Sequence, residues 1–355
     1  MAIIPEDITS IDLGALSLPS IDFGNPGANV SNAAGQLGTA LQALWLRNGG
    51  GTGASVESLR AALPAVDPAP VAGARYPVLY AFGDSLSDTG NDQATTGGIV
   101  PVAPYADGNF SNGPVWVEYL AGQLGLPLPQ PSLQGGGNFA FGGAQTGATT
   151  VHQETPLDLP SQLLQFRAQV QAPNPDALYT LSIGGNDMLA VAGIAGSDPA
   201  SAQQAVTQAV GNVTQFVSGL ADSGARNILI LNVPDLGHTP DQAAAGPAQA
   251  GTASSLAAQF NQQLQQALGE LEQTRQLDID LVDTYGLLDQ AATNPAAFGF
   301  ANVDQPVYSG GPFPNSGGTL QATGTAQNQY LFFDTLHPTT TGHALLAGNA
   351  VQALA

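Results

Sequence analysis

From Tyr76 onward the chain repeats one pattern, a short apolar run followed by a longer segment with apolar residues at three- and four-residue spacing. The runs are Val78–Phe82, Ala177–Ile183, Asn227–Val233 and Leu277–Asp283, each of strand length. Pro114–Leu124, Ser161–Val170, Ala200–Leu220 and Ser254–Gln273 lie between them, rich in helix formers, and read as crossover helices. A last helix is predicted from near Thr341. This alternation is the sequence form of an α/β domain with a central parallel sheet, in which ligands sit at the carboxyl ends of the strands. Residues 1–75 differ: Gly, Ala, Ser and Pro dominate, with amphipathic helices predicted around Ala33–Trp45 and Val56–Leu63. The expected organisation is an N-terminal Gly/Ala-rich extension over 1–75 and an α/β domain over 76–355. The Gly-, Pro- and Ser-rich segment Asp304–Gln329 reads as a long irregular loop, expected to be functional at its length and to wall the site into which it runs at Asp334.

Charge excludes several classes of partner. The chain carries six Arg, no Lys and 27 acidic residues, a net charge of -21, so it repels phosphate backbones and disfavours anionic membranes. With 43% hydrophobic residues it can bury a substantial core, and the absence of cysteine removes disulfides and thiolate chemistry. No apolar run reaches the roughly 18 to 20 residues that span a bilayer. The opening Met1-Ala2-Ile3-Ile4-Pro5-Glu6-Asp7 lacks the basic region of a secretory signal. A secreted or periplasmic location is nonetheless the expectation, by another export route or with a signal outside this sequence.

Chemistry concentrates in a few short stretches. Ser85, in Gly83-Asp84-Ser85-Leu86-Ser87-Asp88-Thr89-Gly90-Asn91, follows the first apolar run at a strand-to-helix turn, where an acyl-transfer nucleophile is held clear of a sheet. Taken alone, such a serine is as well explained as a helix N-cap. Asp334-Thr335-Leu336-His337 supplies a carboxylate and an imidazole three residues apart, and Pro338 keeps them on a turn. The other histidines, His152, His238 and His343, read as structural or surface residues. An oxyanion needs N–H donors, which Gly142-Gly143 and Asn186 offer in two further strand-end motifs. Tight turns, with Asn186 and Asp187 capping a helix, would explain these equally well. Asp84 and Asp88 read as turn and cap residues, and Asp278, Asp280 and Asp283 complete no calcium loop.

Four blocks, FGDSLSDTGN, NFAFGGA, SIGGND and DTLHP, occur in the order found in the GDSL, or SGNH, hydrolases, and the chain resembles that family over about Pro77 to Leu354. NVPDLGHTP and NPAAFGFANV look like its phospholipase and haemolysin-like branch. The resemblance implies a three-layer α/β/α, flavodoxin-like fold and hydrolysis of carboxylic esters without metal or organic cofactor. It assigns the nucleophile to Ser85, the acid and base to Asp334 and His337, and the oxyanion donors to Gly143 and Asn186, to which the backbone N–H of Ser85 at its turn adds a third. The serine does not lie in the Gly-x-Ser-x-Gly elbow of the α/β-hydrolases, which argues against that superfamily.

The expected reaction passes through an acyl-enzyme, on small-molecule or lipid esters of short to medium acyl length. Phospholipase, acyltransferase or carbohydrate acetyl esterase activity at the same site is the first alternative, and a catalytically idle surface-binding protein the second. The aromatics Tyr308, Phe313, Tyr330, Phe332 and Phe333 before and around Asp334 are candidates for an acyl or aryl pocket.

Overall fold

The computed structural model describes residues 59–60, 63–66 and 68–355. Four parallel strands, β1 Leu79–Gly83, β2 Leu178–Ser182, β3 Asn227–Leu231 and β4 Asp278–Val282, form a sheet in the order β1-β2-β3-β4. Each lies within the run predicted for it, or one residue beyond. The segment 137–141 runs along the free edge of β1, where Phe139 N–H donates to Ala81 O at 2.7 Å and Phe141 N–H to Gly83 O at 3.1 Å. The motif around Asn138, expected to end a strand, is thus an edge segment with a single parallel bridge to β1.

Seven longer helices cover the sheet among the described residues: α1 Trp116–Gln123, α2 Leu159–Gln169, α3 Gly185–Ile194, α4 Pro199–Asp222, α5 Pro247–Arg275, α6 Thr284–Thr293 and α7 Thr340–Ala353. Side chains alternate across the strands with a period of two, and the core divides accordingly. Tyr80, Phe82, Tyr179, Leu181, Ile228 and Ile230 point to the face packed by α2, α3, α4 and α5. Leu79, Ala81, Leu178, Leu229 and Leu231 point to the other, where Trp116 and Leu120 of α1 and Ala347 and Ala350 of α7 close the layer. The result is the three-layer α/β/α sandwich that the sequence pattern and the resemblance together imply.

Two helices, α3 and α6, are absent from the sequence expectation, and α5 starts seven residues earlier than predicted, at Pro247. The expected helix around Ala33–Trp45 lies outside the described residues. Of that over Val56–Leu63, Leu59 and Arg60 are helical, and Leu63 N–H donates to Leu59 O at 2.9 Å. Val66 is buried in the main core and bonds Gln169 O through its N–H at 3.0 Å, so this part of the chain packs on the sandwich. No described helix is long and apolar enough to cross a membrane.

One backbone position fixes the site end of β1. Gly83 has φ 132°, and a Cβ there would lie 2.0 Å from Ser182 O. The side chain of Gln162 on α2 holds the same residue from both sides, accepting from Gly83 N–H at 2.9 Å and donating to Gly83 O at 2.8 Å. Gly83→Ala must therefore push β1 from β2 just before Ser85. It is expected to lower unfolding stability by at least about 2 kcal/mol in a urea titration, and an unchanged midpoint would refute the steric argument.

Candidate active site

Ser85 sits at the carboxyl end of β1 on a turn built by aspartates. Asp84 Oδ1 accepts from Leu86 N–H at 3.0 Å. Asp88 accepts from the N–H groups of Gly90, Asn91 and Asp92 at 2.8, 2.7 and 3.1 Å and so caps the one-turn helix Asn91–Thr95. Both are turn and cap residues, as the sequence suggests. Two asparagines join this turn to the segment beside β1. Asn91 donates to the carbonyls of Asn138 and Ala140 at 2.8 and 2.9 Å, while Asn138 donates to Ser87 O at 2.6 Å.

His337 brings its ring to the serine. Its Nε2 lies 2.8 Å from Ser85 Oγ and its Nδ1 lies 2.7 Å from Asp334 Oδ2. Asp334 itself is enclosed: Oδ1 accepts from the N–H groups of Leu336 and His337 at 2.8 and 2.7 Å, and Oδ2 also accepts from the Tyr105 hydroxyl at 2.6 Å. The four-residue turn thus presents both side chains on one side, as its spacing predicts. Such a chain of hydrogen bonds lets the ring accept the serine proton while the carboxylate fixes its tautomer.

The other expected donors lie alongside. Asn186, in the first turn of α3, lines the same cleft as Ser85 and His337 and donates to Ala144 O at 2.9 Å. Its amide keeps a second N–H. Gly143, with φ 75°, precedes Ala144 but is not among the residues lining the cleft. Asp187 accepts from Thr146 N–H and Oγ1, so the first turn of α3 grips the 143–146 loop twice. Gly184, not Asn186 or Asp187, is the N-cap of α3.

Electrostatics follow from burial. Desolvation opposes charge on both Asp334 and His337, and their mutual attraction outweighs it: the carboxyl is held below its ordinary range and the imidazole is raised above 6.5. Burial pushes Asp84 up to about 7 and Asp187 up to about 6. Asp92 is raised well above its usual range by burial and by the neighbouring Asp88. Of the other histidines, His152 pairs with Asp158 at 2.8 Å. His343 is buried and neutral, accepting from Trp116 N–H at 3.3 Å, with no hydrogen-bond partner at Nε2.

The cleft beside Ser85 holds about 970 Å³ of empty space, including its open mouth. Its walls come from the ends of β2 and β3, from α3, α6 and α7, and from Leu331, Phe332 and Leu336. The expected wall, Asp304–Gln329, contributes nothing to it. Val307 and Tyr308 instead bond the backbone of Phe332 and Phe333 at 3.1 and 2.7 Å, and Tyr308 and Phe333 pack around the Tyr105 ring at 5.9 and 4.9 Å. Of the five candidate aromatics only Phe332 lines the cleft. The loop braces Asp334 from behind.

The family of GDSL-like lipases and acylhydrolases matches residues 79–349, a span that contains every residue of this site. The chain belongs to that family. A Pseudomonas putida protein from the trpE-trpG intergenic region is 33% identical over 79% of this chain, which spans 48% of that protein's length. The phosphatidylcholine-sterol acyltransferase of Aeromonas hydrophila is 28% identical over 75% of this chain and 86% of its own. A solved acetylxylan esterase from Geobacillus stearothermophilus is similar over 81% of this chain and 96% of its own, at 16% identity and a TM-score of 0.42, a likeness too slight to bear on activity. As a GDSL enzyme the chain is a carboxylic ester hydrolase.

Asp84 bears on the ring as well, its charge favouring the imidazolium. Removing that charge with Asp84→Asn is expected to move the His337 titration to lower pH, and Asp334→Asn to move it further. Histidine ring NMR measures both, and an unmoved or rising titration would contradict the electrostatic assignment.

Proposed function

We propose that the chain hydrolyses esters of apolar acyl groups through Ser85, His337 and Asp334. The observation that carries this reading is the continuous relay from Ser85 Oγ through the His337 ring to Asp334, opening on an apolar cleft. His337 Nε2 takes the Ser85 proton as Oγ attacks the ester carbonyl. Asp334 holds the Nδ1–H tautomer and stabilises the imidazolium. The N–H groups of Ser85 and Gly143 and the free amide N–H of Asn186 receive the oxyanion. His337 then protonates the leaving alcohol, and water repeats the sequence on the acyl-enzyme. The reaction uses side chains and backbone N–H groups of this chain together with water, and no resident cofactor enters it.

The cleft supports the acyl side of the substrate. Thr284, Leu287, Leu288 and Ala291 of α6 line it at i, i+3, i+4 and i+7, a stripe about 10 Å long at the helical rise. Leu345 and Leu346 of α7 face the same space. That length suits a medium acyl chain, and the acidic surface favours neutral or zwitterionic esters over anionic ones. The lysine-free, acidic coat also supports the expectation of a secreted or periplasmic location.

Acyl transfer to a second alcohol is the competing reading, favoured by the similarity to the Aeromonas acyltransferase. It uses the same acyl-enzyme and differs only in the acceptor. Adding sterol to a p-nitrophenyl ester assay separates the two, since transfer diverts acyl groups into sterol ester and hydrolysis does not.

Ser85→Ala is expected to lose several orders of magnitude in kcat and all labelling by a fluorophosphonate, whereas Asn186→Ala is expected to lose about a hundred- to a thousandfold in kcat. Full hydrolysis by Ser85→Ala would end the assignment. Ala291→Phe is expected to cut kcat/KM for decanoyl esters about tenfold or more while sparing acetyl esters, and an unaltered chain-length profile would place the acyl group elsewhere.

A further inference from the structure

The corner after β3 carries the residues Val233-Pro234-Asp235-Leu236-Gly237-His238, which the relay does not use. His238 turns its Nε2 toward two carboxylates from different elements, 3.2 Å from Asp289 Oδ1 on α6 and 3.7 Å from Asp235 Oδ2 on its own turn. All three ligand atoms lie within 4.8 Å of one another, and among the described residues no other three His, Asp or Glu side chains converge in this way.

We propose that Asp235, His238 and Asp289 bind a divalent transition cation of the zinc type, which ties the β3 corner to α6. The distances accommodate a shared ion as well as an ion pair. A hydrogen bond at 3.2 Å accounts for Asp289 alone, and Asp235 Oδ2 stands 3.7 Å off, beyond hydrogen-bond reach. Four ligands at about 2.1 Å in a tetrahedron stand about 3.4 Å apart, which lies between the two observed spacings. Asp235 is positioned as a ligand needs to be. It is 6% exposed, and its Oδ1 is fixed by Gly237 N–H at 3.0 Å and by the Ser254 hydroxyl, while its Oδ2 lies 3.7 Å from His238 Nε2. His238 and Asp289 are partly open to solvent, so water can reach the fourth position. One imidazole with two carboxylates suits zinc-like ions better than calcium or magnesium, which prefer oxygen alone. The acidic surface concentrates cations around it.

The tie would act on the substrate cleft. Leu236 and Thr239 flank the ligands on one side, and Leu287, Leu288 and Ala291 surround Asp289 along α6; all five line the cleft. A bound ion would hold these two walls at a fixed separation, and it takes no part in the relay.

Cobalt(II) added to the EDTA-stripped full chain should give a visible ligand-field band that saturates at one equivalent and is displaced by zinc. Zinc at a hundredfold excess over its Kd should raise Tm by roughly 5 °C. His238→Ala and Asp289→Asn, both at partly exposed positions, should each weaken binding at least tenfold and abolish the Tm rise. Ser85→Ala should bind the ion as the parent does, which separates this site from the relay whatever the esterase assays give. Absence of saturable binding, or binding undiminished in both variants, overturns the proposal. So does a parent whose Tm ignores zinc while His238→Ala lowers the Tm of the metal-free chain, because that marks a plain ion pair.

Discussion

The structure around the site depends on keeping one buried carboxylate charged. Asp334 is only 3% exposed, and a carboxylate taken out of water is costly unless hydrogen bonds and an opposite charge replace its hydration. Here two backbone N–H groups, a tyrosine hydroxyl and an imidazole do so. Each partner requires further structure. The backbone donors require the tight turn before Pro338, the hydroxyl requires the aromatic packing of Tyr308 and Phe333 on Tyr105, and the imidazole requires Phe110, whose ring centroid lies 5.5 Å from that of His337. Much of the irregular chain between β1 and α1 and before α7 can be understood as support for that one charge.

The strands β1 to β3 were legible because burial on both faces leaves nearly unbroken apolar runs, the edge strand β4 because Ile279 and Leu281 alternate with Asp278 and Asp280, and the site blocks because each fills a strand end or a turn whose chemistry is local. What escaped depends on contacts between distant parts of the chain. Tyr105 meets Asp334 across 229 residues, and Gln162 meets Gly83 across 79, so no local periodicity marks either. The helices α3 and α6 were hidden by their own starts. α3 opens within Gly184-Gly185-Asn186-Asp187, read as the end of a strand, and α6 opens at Asp283, where the residue closing the β4 run also caps the helix through Gly286 N–H at 3.0 Å. The misassigned wall has a similar cause. Composition identifies 304–329 as a loop, but only pairing with Phe332 and Phe333 decides which side of Asp334 it covers.

Near Ser85 the buried acids set opposing demands. Asp84, raised to about 7 by burial, lies close enough to His337 to favour its imidazolium form. The same charge would repel an oxyanion on the substrate. A group ionised only in part near neutrality is a compromise between the two, and the low dielectric that raises its pKa also strengthens the N–H donors that the proposed reaction assigns to the oxyanion. A fully solvated aspartate at that position would be ionised throughout, but it would bring water into the cleft and weaken those same donors. In the proposed reaction the apolar walls therefore do more than accommodate an acyl chain: by keeping water from Asp84 they favour the neutral form of the carboxyl group next to Ser85.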